Sequence, residues 1–196
     1  MTKAPLVERL TGLIGPALSP LGVSLWGVEL ASAGSRMVVR IYIDAQAEPF
    51  QGAQPEETAQ ETGGEAAQGQ GAQGVTIAAC ARASRHLGAL LDAEDAVPGA
   101  YVLEVSSPGL ERRFFKPEQL RAYLGRTLDV RLHQPQDGRR HLRGLLAEVG
   151  PETGTGSGTG AEADSLVVDE AGQRTRILWE QVKSAHLVHT FPGAAA

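Results

Sequence analysis

The sequence predicts an α+β protein of two small domains, an N-terminal α/β sandwich followed by a small SH3-like β-barrel. Helical and strand periodicities alternate through the first half of the chain, which is typical of a mixed sheet-and-helix domain. The second half contains five short strand patterns at close spacing, which is typical of a small barrel. Between the halves, the predicted strand Tyr101–Ser106 runs into the turn signal Ser107-Pro108-Gly109, and the charge balance reverses after it. We therefore place the domain boundary at this corner.

The N-terminal domain, residues 1–109, is predicted to have the element order α-β-β-α-β. Its apolar residues recur at helical spacing in two segments and alternate at strand spacing in three. The domain is therefore a three-stranded sheet with helices on one face, and the order of the strands stays open. The predicted helices are Pro5–Leu18 and Thr76–Asp92, and the predicted strands are Leu25–Leu30, Arg36–Asp44 and Tyr101–Ser106.

The second predicted helix begins at Thr76, whose side chain is a favourable N-cap. Its apolar face contains the single cysteine of the chain, Cys80. Because free cysteine is among the most buried residue types, Cys80 is predicted to be a structural thiol rather than a nucleophile. The residues predicted to form this face are Ile77, Cys80, Ala81, Ser84, Leu87, Gly88 and Leu91.

Residues 110–125 are predicted to form a connector with a short helix that Gly125 ends. The barrel is predicted over residues 126–190, with hairpin turns at Asp137-Gly138 and Glu170-Ala171-Gly172. A single turn at Trp179–Val182 precedes the last strand. The predicted strands are Thr127–Leu132, His141–Val149, Ser165–Asp169, Arg174–Leu178 and Ser184–Val188.

Three segments lack the apolar residues that a packed core requires. Residues 45–74 contain Glu48, Glu56, Glu57, Glu61 and Glu65, with no lysine, arginine, leucine, isoleucine or valine, so they are predicted to be a disordered acidic insertion. Residues 150–163 are predicted to be a flexible loop because alternating glycines dominate them. Residues 191–196 are predicted to be a disordered tail.

Composition limits the possible classes of protein. One cysteine excludes an intrachain disulfide and a multi-thiolate metal site, and it is consistent with a reducing compartment. No apolar run approaches the eighteen or so residues of a membrane span, and the first residues, which include Glu8 and Arg9, do not form an apolar run of signal-peptide length. The sequence therefore predicts a soluble cytoplasmic protein.

No catalytic, metal-binding or cofactor-binding constellation is apparent. Ser106 and Ser107 lack the Gly-x-Ser-x-Gly elbow that exposes a nucleophilic hydroxyl, and turn formation accounts for them. The five histidines are scattered along the chain, and the close pair His186 and His189 is predicted to point to opposite faces of a strand. We therefore predict that the protein is not an enzyme and holds no cofactor.

A basic run is the one positive functional signal. The formal net charge is −5, but without residues 45–74 the chain has 18 basic and 18 acidic residues. Residues 110–146 hold nine Lys and Arg against four acids, which suits contacts to phosphate or carboxylate groups but also suits an ordinary solvated surface. The predicted partner-binding residues are Arg112, Arg113, Lys116, Arg126, Arg131, Arg139, Arg140 and Arg143.

The stretch Glu-Val-Ser-Ser-Pro-Gly-Leu-Glu-Arg at residues 104–112 is long and specific. Together with several shorter motifs, it resembles the bacterial RimP family of ribosome maturation factors. The resemblance covers nearly the whole chain apart from residues 45–73, the glycine-rich loop and the tail. The other matching segments are Leu25–Glu29, Arg40–Asp44, Gly74–Ile77 with Cys80, Ser84-Arg85, Leu90–Asp92 and Lys183–Val188.

This resemblance implies a non-catalytic ribosome assembly factor. Such a factor binds the immature 30S small ribosomal subunit, contacts ribosomal protein S12 and 16S rRNA, and promotes late maturation as a monomer in the cytoplasm. The resemblance also implies that the C-terminal barrel is of the Sm or SH3 type.

Two other function classes remain open from the sequence. An Sm-like RNA-binding chaperone would form a homo-oligomeric ring and bind uridine-rich single strands. A hydrolase using Ser106 or Ser107 would react with a fluorophosphonate label.

Overall fold

The computed structural model describes residues 3–34, 36–46, 75–151 and 164–189, and these form an α+β structure with two sheets. The chain divides into two compact units, Met1–Ser107 and Pro108–Ala196. No helix in the described ranges combines the length and the apolarity needed to cross a bilayer.

The described residues of the first unit form two α-helices packed on a three-stranded sheet. Strand order is β1-β2-β3, with β1 and β2 antiparallel and β2 and β3 parallel. The buried residues of α1 are Leu10, Ile14 and Leu18, spaced by four so that they share one helix face. The elements are α1 (Lys3–Leu18), a 3₁₀ helix (Ser19–Leu21), β1 (Val23–Ala33), β2 (Arg36–Ala45), α2 (Ile77–Ala93) and β3 (Tyr101–Ser106).

Helix α2 begins as the sequence predicts, because the side chain of Thr76 accepts a hydrogen bond from the backbone N–H of Ala79 at 3.2 Å. Its predicted apolar face is partly wrong. The buried stripe contains Ala83, Leu87 and Leu91. Cys80, which was predicted to be buried, packs against the core but is only partly buried. Ile77, by contrast, is 90% exposed and Ala81 is also exposed. At roughly 100° per residue, both lie beside the stripe rather than on it.

Strand β3 ends at the predicted corner. Tyr101, Leu103 and Val105 pack against the core, while the alternate residues of the strand are exposed. Gly109 then adopts φ +73°, the left-handed conformation that the turn after Pro108 requires. The parallel pairing of β2 and β3 settles the strand order that the sequence leaves open.

In the second unit, residues 108–151 and 164–189 form a six-stranded antiparallel sheet in the order β4-β9-β5-β6-β7-β8. Its inward residues alternate with outward polar ones, and Leu128, Leu146 and Ile177 are fully buried. Both predicted hairpin turns form, with positive φ at Asp137-Gly138 and Ala171-Gly172. The strands are β4 (Arg113–Phe114), β5 (Thr127–Gln136), β6 (Arg139–Pro151), β7 (Asp164–Glu170), β8 (Gln173–Leu178) and β9 (Val182–Leu187), with 3₁₀ helices at Pro117–Tyr123 and Trp179–Gln181.

Three features differ from the predictions. The predicted connector contains β4, which pairs with β9. The short helix there is a 3₁₀ helix, in which the Gln119 side chain accepts hydrogen bonds from the backbone N–H groups of Phe115 and Lys116. Strands β2 and β6 extend into the predicted insertion and loop because backbone pairing does not require apolar side chains. The rest of these segments, residues 47–74 and 152–163, and the predicted tail, 191–196, lie outside the described residues.

Candidate nucleic-acid interface

The outward face of the second sheet carries three of the eight predicted basic residues, Arg113, Arg131 and Arg143. In β5 the buried residues Leu128, Val130 and Leu132 point inward, so Asp129 and Arg131 between them point outward. Paired residues of neighbouring strands project to the same face. The register therefore decides which charges meet there.

One row of outward residues crosses four strands. Arg113 of β4 is paired with His186 of β9, His186 with Asp129 of β5, and Asp129 with Arg143 of β6. Neighbouring strands lie about 4.8 Å apart, so the row brings Arg113 and Arg143 within roughly 14 Å although thirty positions separate them in the sequence.

A second row lies beside the first and is joined to it through Asp129. It comprises Ser184 of β9, Arg131 of β5 and His141 of β6. Nε2 of His141 lies 2.7 Å from one carboxylate oxygen of Asp129, and Nε of Arg131 lies 3.9 Å from the other. The side chain of Arg131 is 68% exposed, so its guanidinium stays accessible to a ligand.

Residues of both rows, without Arg113 and His141, line a depression of about 460 Å³. It holds Arg131 and Arg143 together with the carboxylates of Glu111 and Asp129. The mixture of charges distinguishes it from a purely cationic patch. The remaining lining residues are Ser184, His186, Leu187 and Val188.

The β5–β6 hairpin carries two further predicted arginines. Arg139 forms an ion pair with Glu170 at 2.9 Å, and the same carboxylate accepts a hydrogen bond from the backbone N–H of Arg143. Arg140 is exposed. Glu170 therefore fixes the hairpin against β7 while Arg140 stays in solvent.

Arg112 has a structural role at the corner. Its guanidinium donates a hydrogen bond to the hydroxyl of Tyr123 at 2.7 Å and lies 5.7 Å from the centre of the same ring. The Nε of Arg112 also lies 3.4 Å from the carbonyl oxygen of Gly109. Arg112 thus fastens the turn to the 3₁₀ helix of the second unit and is half-buried there.

The remaining predicted residues do not join the depression. Arg113 packs over the ring of Phe115 at 5.3 Å. Lys116 and Arg126 are exposed, one before the 3₁₀ helix and the other before β5, and neither lines the depression. The structure therefore brings Arg131 and Arg143 into one depression and distributes the other six around it.

The sequence interpretation missed the polar partners of these arginines. Asp129, His141 and His186 share the outward face with Arg131 and Arg143. The alternation of strand residues and the position of the turn at Asp137-Gly138 would have allowed the pairing of Asp129 with Arg143 to be predicted. The placement of His186 depends on β9 lying beside β5, which no local pattern reveals.

The outward side of the first sheet contrasts with this surface because its charges neutralise one another. Nε of Arg40 lies 2.6 Å from the Glu104 carboxylate, and the hydrogen bond and charge of Glu104 raise the pKa of Arg40. The hydroxyl of Tyr42 lies 3.3 Å from the Glu29 carboxylate. In the described ranges, no group of three His, Cys, Asp or Glu residues is placed to hold a metal ion.

Comparison with known proteins identifies the family. The family model described as the RimP N-terminal domain matches residues 13–111. The chain is 40% identical over 195 residues to the ribosome maturation factor RimP of Nitratidesulfovibrio vulgaris strain DP4, covering 98% of this chain and 95% of the relative.

Other relatives give the same result. The chain is 41% identical to the ribosome maturation factor RimP of the Miyazaki F strain of Nitratidesulfovibrio vulgaris, over 98% of this chain and 85% of the relative. It is 34% identical to the protein of the same name from Desulfovibrio desulfuricans, over 97% of this chain and 83% of the relative. The resemblance seen in the motifs is thus confirmed, and the chain belongs to the RimP family.

Proposed function

We propose that the protein is a non-catalytic ribosome assembly factor that binds the immature 30S subunit in the cytoplasm and promotes its late maturation. The relatives' name, ribosome maturation factor, supports the role in assembly. The observation that carries the proposal is the outward face of the second sheet, where Arg131 and Arg143 lie beside exposed hairpin arginines. Arginine suits phosphate because its planar fork donates two parallel hydrogen bonds.

In this proposal the second unit is a small SH3/Sm-like barrel, residues 126–190, which docks on ribosomal protein S12. Two observations support a sheet that curves and closes into a barrel. The side-chain amide of Gln136, at the end of β5, donates to the backbone carbonyl of Arg176 in β8 at 2.9 Å. A Cβ at Gly144 in β6 would overlap the backbone of Asp169 in β7, as expected where strands fold closely over one another.

The proposed organisation assigns a separate task to each part of the chain. Residues 1–109 form the α/β domain, and residues 110–125 lead from it into the barrel and contribute β4 to the second sheet. The arginines of the outward face neutralise 16S rRNA phosphates, and the release of their counterions contributes to binding. Arg112, fastened to Tyr123, keeps the chain after the corner in place so that Glu111 and Arg113 are presented to the RNA.

Charge reversal tests this proposal. The triple variant Arg139→Glu, Arg140→Glu, Arg143→Glu should lose co-sedimentation with free 30S particles, and the salt dependence of any residual binding should flatten by roughly two in the log–log slope, since each phosphate contact contributes about 0.7–0.9. Circular dichroism checks that the variant is folded. Binding should be selective for 30S over 50S and 70S particles.

A matched control changes the net charge equally at another place. The exposed arginines Arg36, Arg82 and Arg85 belong to the first unit, and their triple reversal to glutamate should leave 30S binding near wild type. Equal losses in both triple variants would refute the assignment of the surface. Unchanged binding in the β6 triple variant would refute it as well.

The oligomeric state separates the proposal from its alternative. Light scattering should give the mass of a monomer, about 20.6 kDa. A homo-oligomeric ring with tight binding of uridine-rich RNA would instead identify an Sm-like RNA chaperone.

A further inference from the structure

The depression on the second sheet has two chemically opposite walls. The backbone carbonyl of Arg112 accepts a hydrogen bond from the N–H of Leu187 at 3.0 Å, so the chain at Glu111 runs along the outer edge of β9. Arg143 lies on β6, at the other side of β9 and β5. Three strand spacings of about 4.8 Å place the two walls roughly 14 Å apart at the backbone. An acceptor group therefore faces a donor group across a gap.

Both wall groups are available to a ligand. Within the described ranges, the Glu111 carboxylate has no hydrogen bond or ion pair, and neither has the Arg143 guanidinium. The hydrogen bond from Arg143 to the Glu170 carboxylate uses the backbone N–H. Both residues are exposed. Asp129 on the floor is already engaged by His141 and Arg131, so it keeps the floor polar without competing for the ligand.

The order of the groups selects one nucleobase. A carboxylate accepts two hydrogen bonds from two adjacent N–H donors, and a guanidinium donates two to two adjacent acceptors. Guanine has adjacent donors at N1 and N2 and adjacent acceptors at O6 and N7. Adenine, cytosine and uracil each lack the adjacent pair of donors. Arginine bound to O6 and N7 is also the commonest specific contact to guanine.

The size of the depression fits a single nucleotide. Ligand pockets range from about 300 to 1,000 Å³, and the volume here is about 460 Å³. Val188, which follows β9, adds an apolar residue to the lining, against which a base can lie. Unpaired bases in RNA are read in this way, by hydrogen bonds to edges that a duplex would cover.

We infer that this depression binds an unpaired guanine of RNA, with Glu111 on the N1–H and N2–H groups and Arg143 on O6 and N7. The inference rests on the proposed function, because it takes RNA as the ligand of the second unit, and it deepens that proposal by naming the base.

Short RNAs test it with the full-length protein. Fluorescein-labelled uridine octamers carry one central guanosine, inosine or adenosine, and anisotropy measures their affinities. Inosine lacks only the N2 amino group, so wild-type protein should bind the guanosine octamer about tenfold more tightly than the inosine octamer. The adenosine octamer should bind at least as weakly as the inosine octamer.

Single substitutions at Glu111 and Arg143 test whether these two side chains cause the preference for the guanosine octamer. Glu111→Gln should abolish the preference for guanosine over inosine, and Arg143→Gln should weaken binding of the guanosine octamer to the level of the adenosine octamer. Arg121→Gln provides the control, because Arg121 is exposed on the 3₁₀ helix and does not line the depression. That variant should keep the guanosine preference.

The outcomes separate the two proposals. Equal affinities for the three octamers would overturn the guanine inference even if co-sedimentation with 30S particles persisted. A guanosine preference without 30S binding would support the inference and refute the assembly role. Displacement of the guanosine octamer by free GMP at an equal dissociation constant would overturn the assignment to RNA and identify a site for the mononucleotide.

Discussion

Replacement of Gly144 by alanine tests the close approach of β6 and β7. A Cβ at Gly144 would overlap the carbonyl oxygen of Asp169 and lie 2.8 Å from its carbonyl carbon and 2.9 Å from Cγ1 of Val168. Two of these atoms belong to the backbone, so the clash cannot be relieved by a change of rotamer. The two strands would have to separate at Gly144, close to the shift in their register between Leu146 and Glu148.

The expected magnitude follows from two opposing terms. Overpacking a core costs typically 1–3 kcal/mol, and a clash with backbone belongs at the upper end, about 3 kcal/mol. Alanine recovers roughly 0.5–1 kcal/mol of the entropy that glycine loses in a strand. Gly144→Ala should therefore lower the free energy of unfolding of the second unit by about 2 kcal/mol.

The two tryptophans allow each unit to be observed separately. In a Trp26→Phe background, Trp179 is the single tryptophan and reports urea unfolding of the second unit. The matched control is Gly150→Ala in the same strand, where no atom lies within 4 Å of the added Cβ. The control should unfold at the same or a slightly higher urea concentration than its parent. Equal midpoints for both alanine variants would refute the close approach of the strands.

Two further predictions concern single side chains. Tyr101→Phe should cost about 1 kcal/mol at neutral pH by removing the 2.7 Å hydrogen bond to Asp92. Burial, and then the hydrogen bond and charge of Asp92, raise the pKa of Tyr101 from 10.0 to about 12. The folded state favours the neutral phenol, so the stability of the wild-type first unit should fall between pH 10 and 12, and the loss should be absent from the phenylalanine variant. Trp26 fluorescence in a Trp179→Phe background measures both effects, and an identical pH profile in the variant would contradict them. Arg112→Ala should lower the free energy of unfolding of the second unit by about 1–2 kcal/mol, which Trp179 fluorescence measures as a lower urea midpoint. An unchanged midpoint would contradict the structural role of Arg112.

Local patterns predicted much of the first unit because its elements show their periodicity over long segments. The alternation of Tyr101, Leu103 and Val105 matches the buried face of β3. Ile77 shows the limit of such reasoning. Its apolar side chain suggested a place on the helix face, but the buried stripe is set by where α2 meets the sheet, and Ile77 falls outside that contact.

The candidate surface was predictable in composition but not in arrangement. The excess of arginine between residues 110 and 146 is visible in the sequence. β4 has only two residues, too few to show a periodicity, and its partner β9 lies about seventy positions later. The meeting of Arg113, His186 and Asp129 depends on that distant pairing, and so does the depression in which Glu111 faces Arg143.

The position of β9 inside the second sheet sets the order in which the protein matures during its own synthesis. The first unit has all its strands once residue 106 has emerged from the ribosome, so it can fold while translation continues. The second unit must wait for β9 (Val182–Leu187), which lies between β4 and β5. Until β9 arrives, β4 has no paired strand and β5 is paired only with β6. A nascent chain halted before β9 would thus carry a finished first unit and an incomplete second sheet, without the row that joins Arg113 to Asp129 through His186.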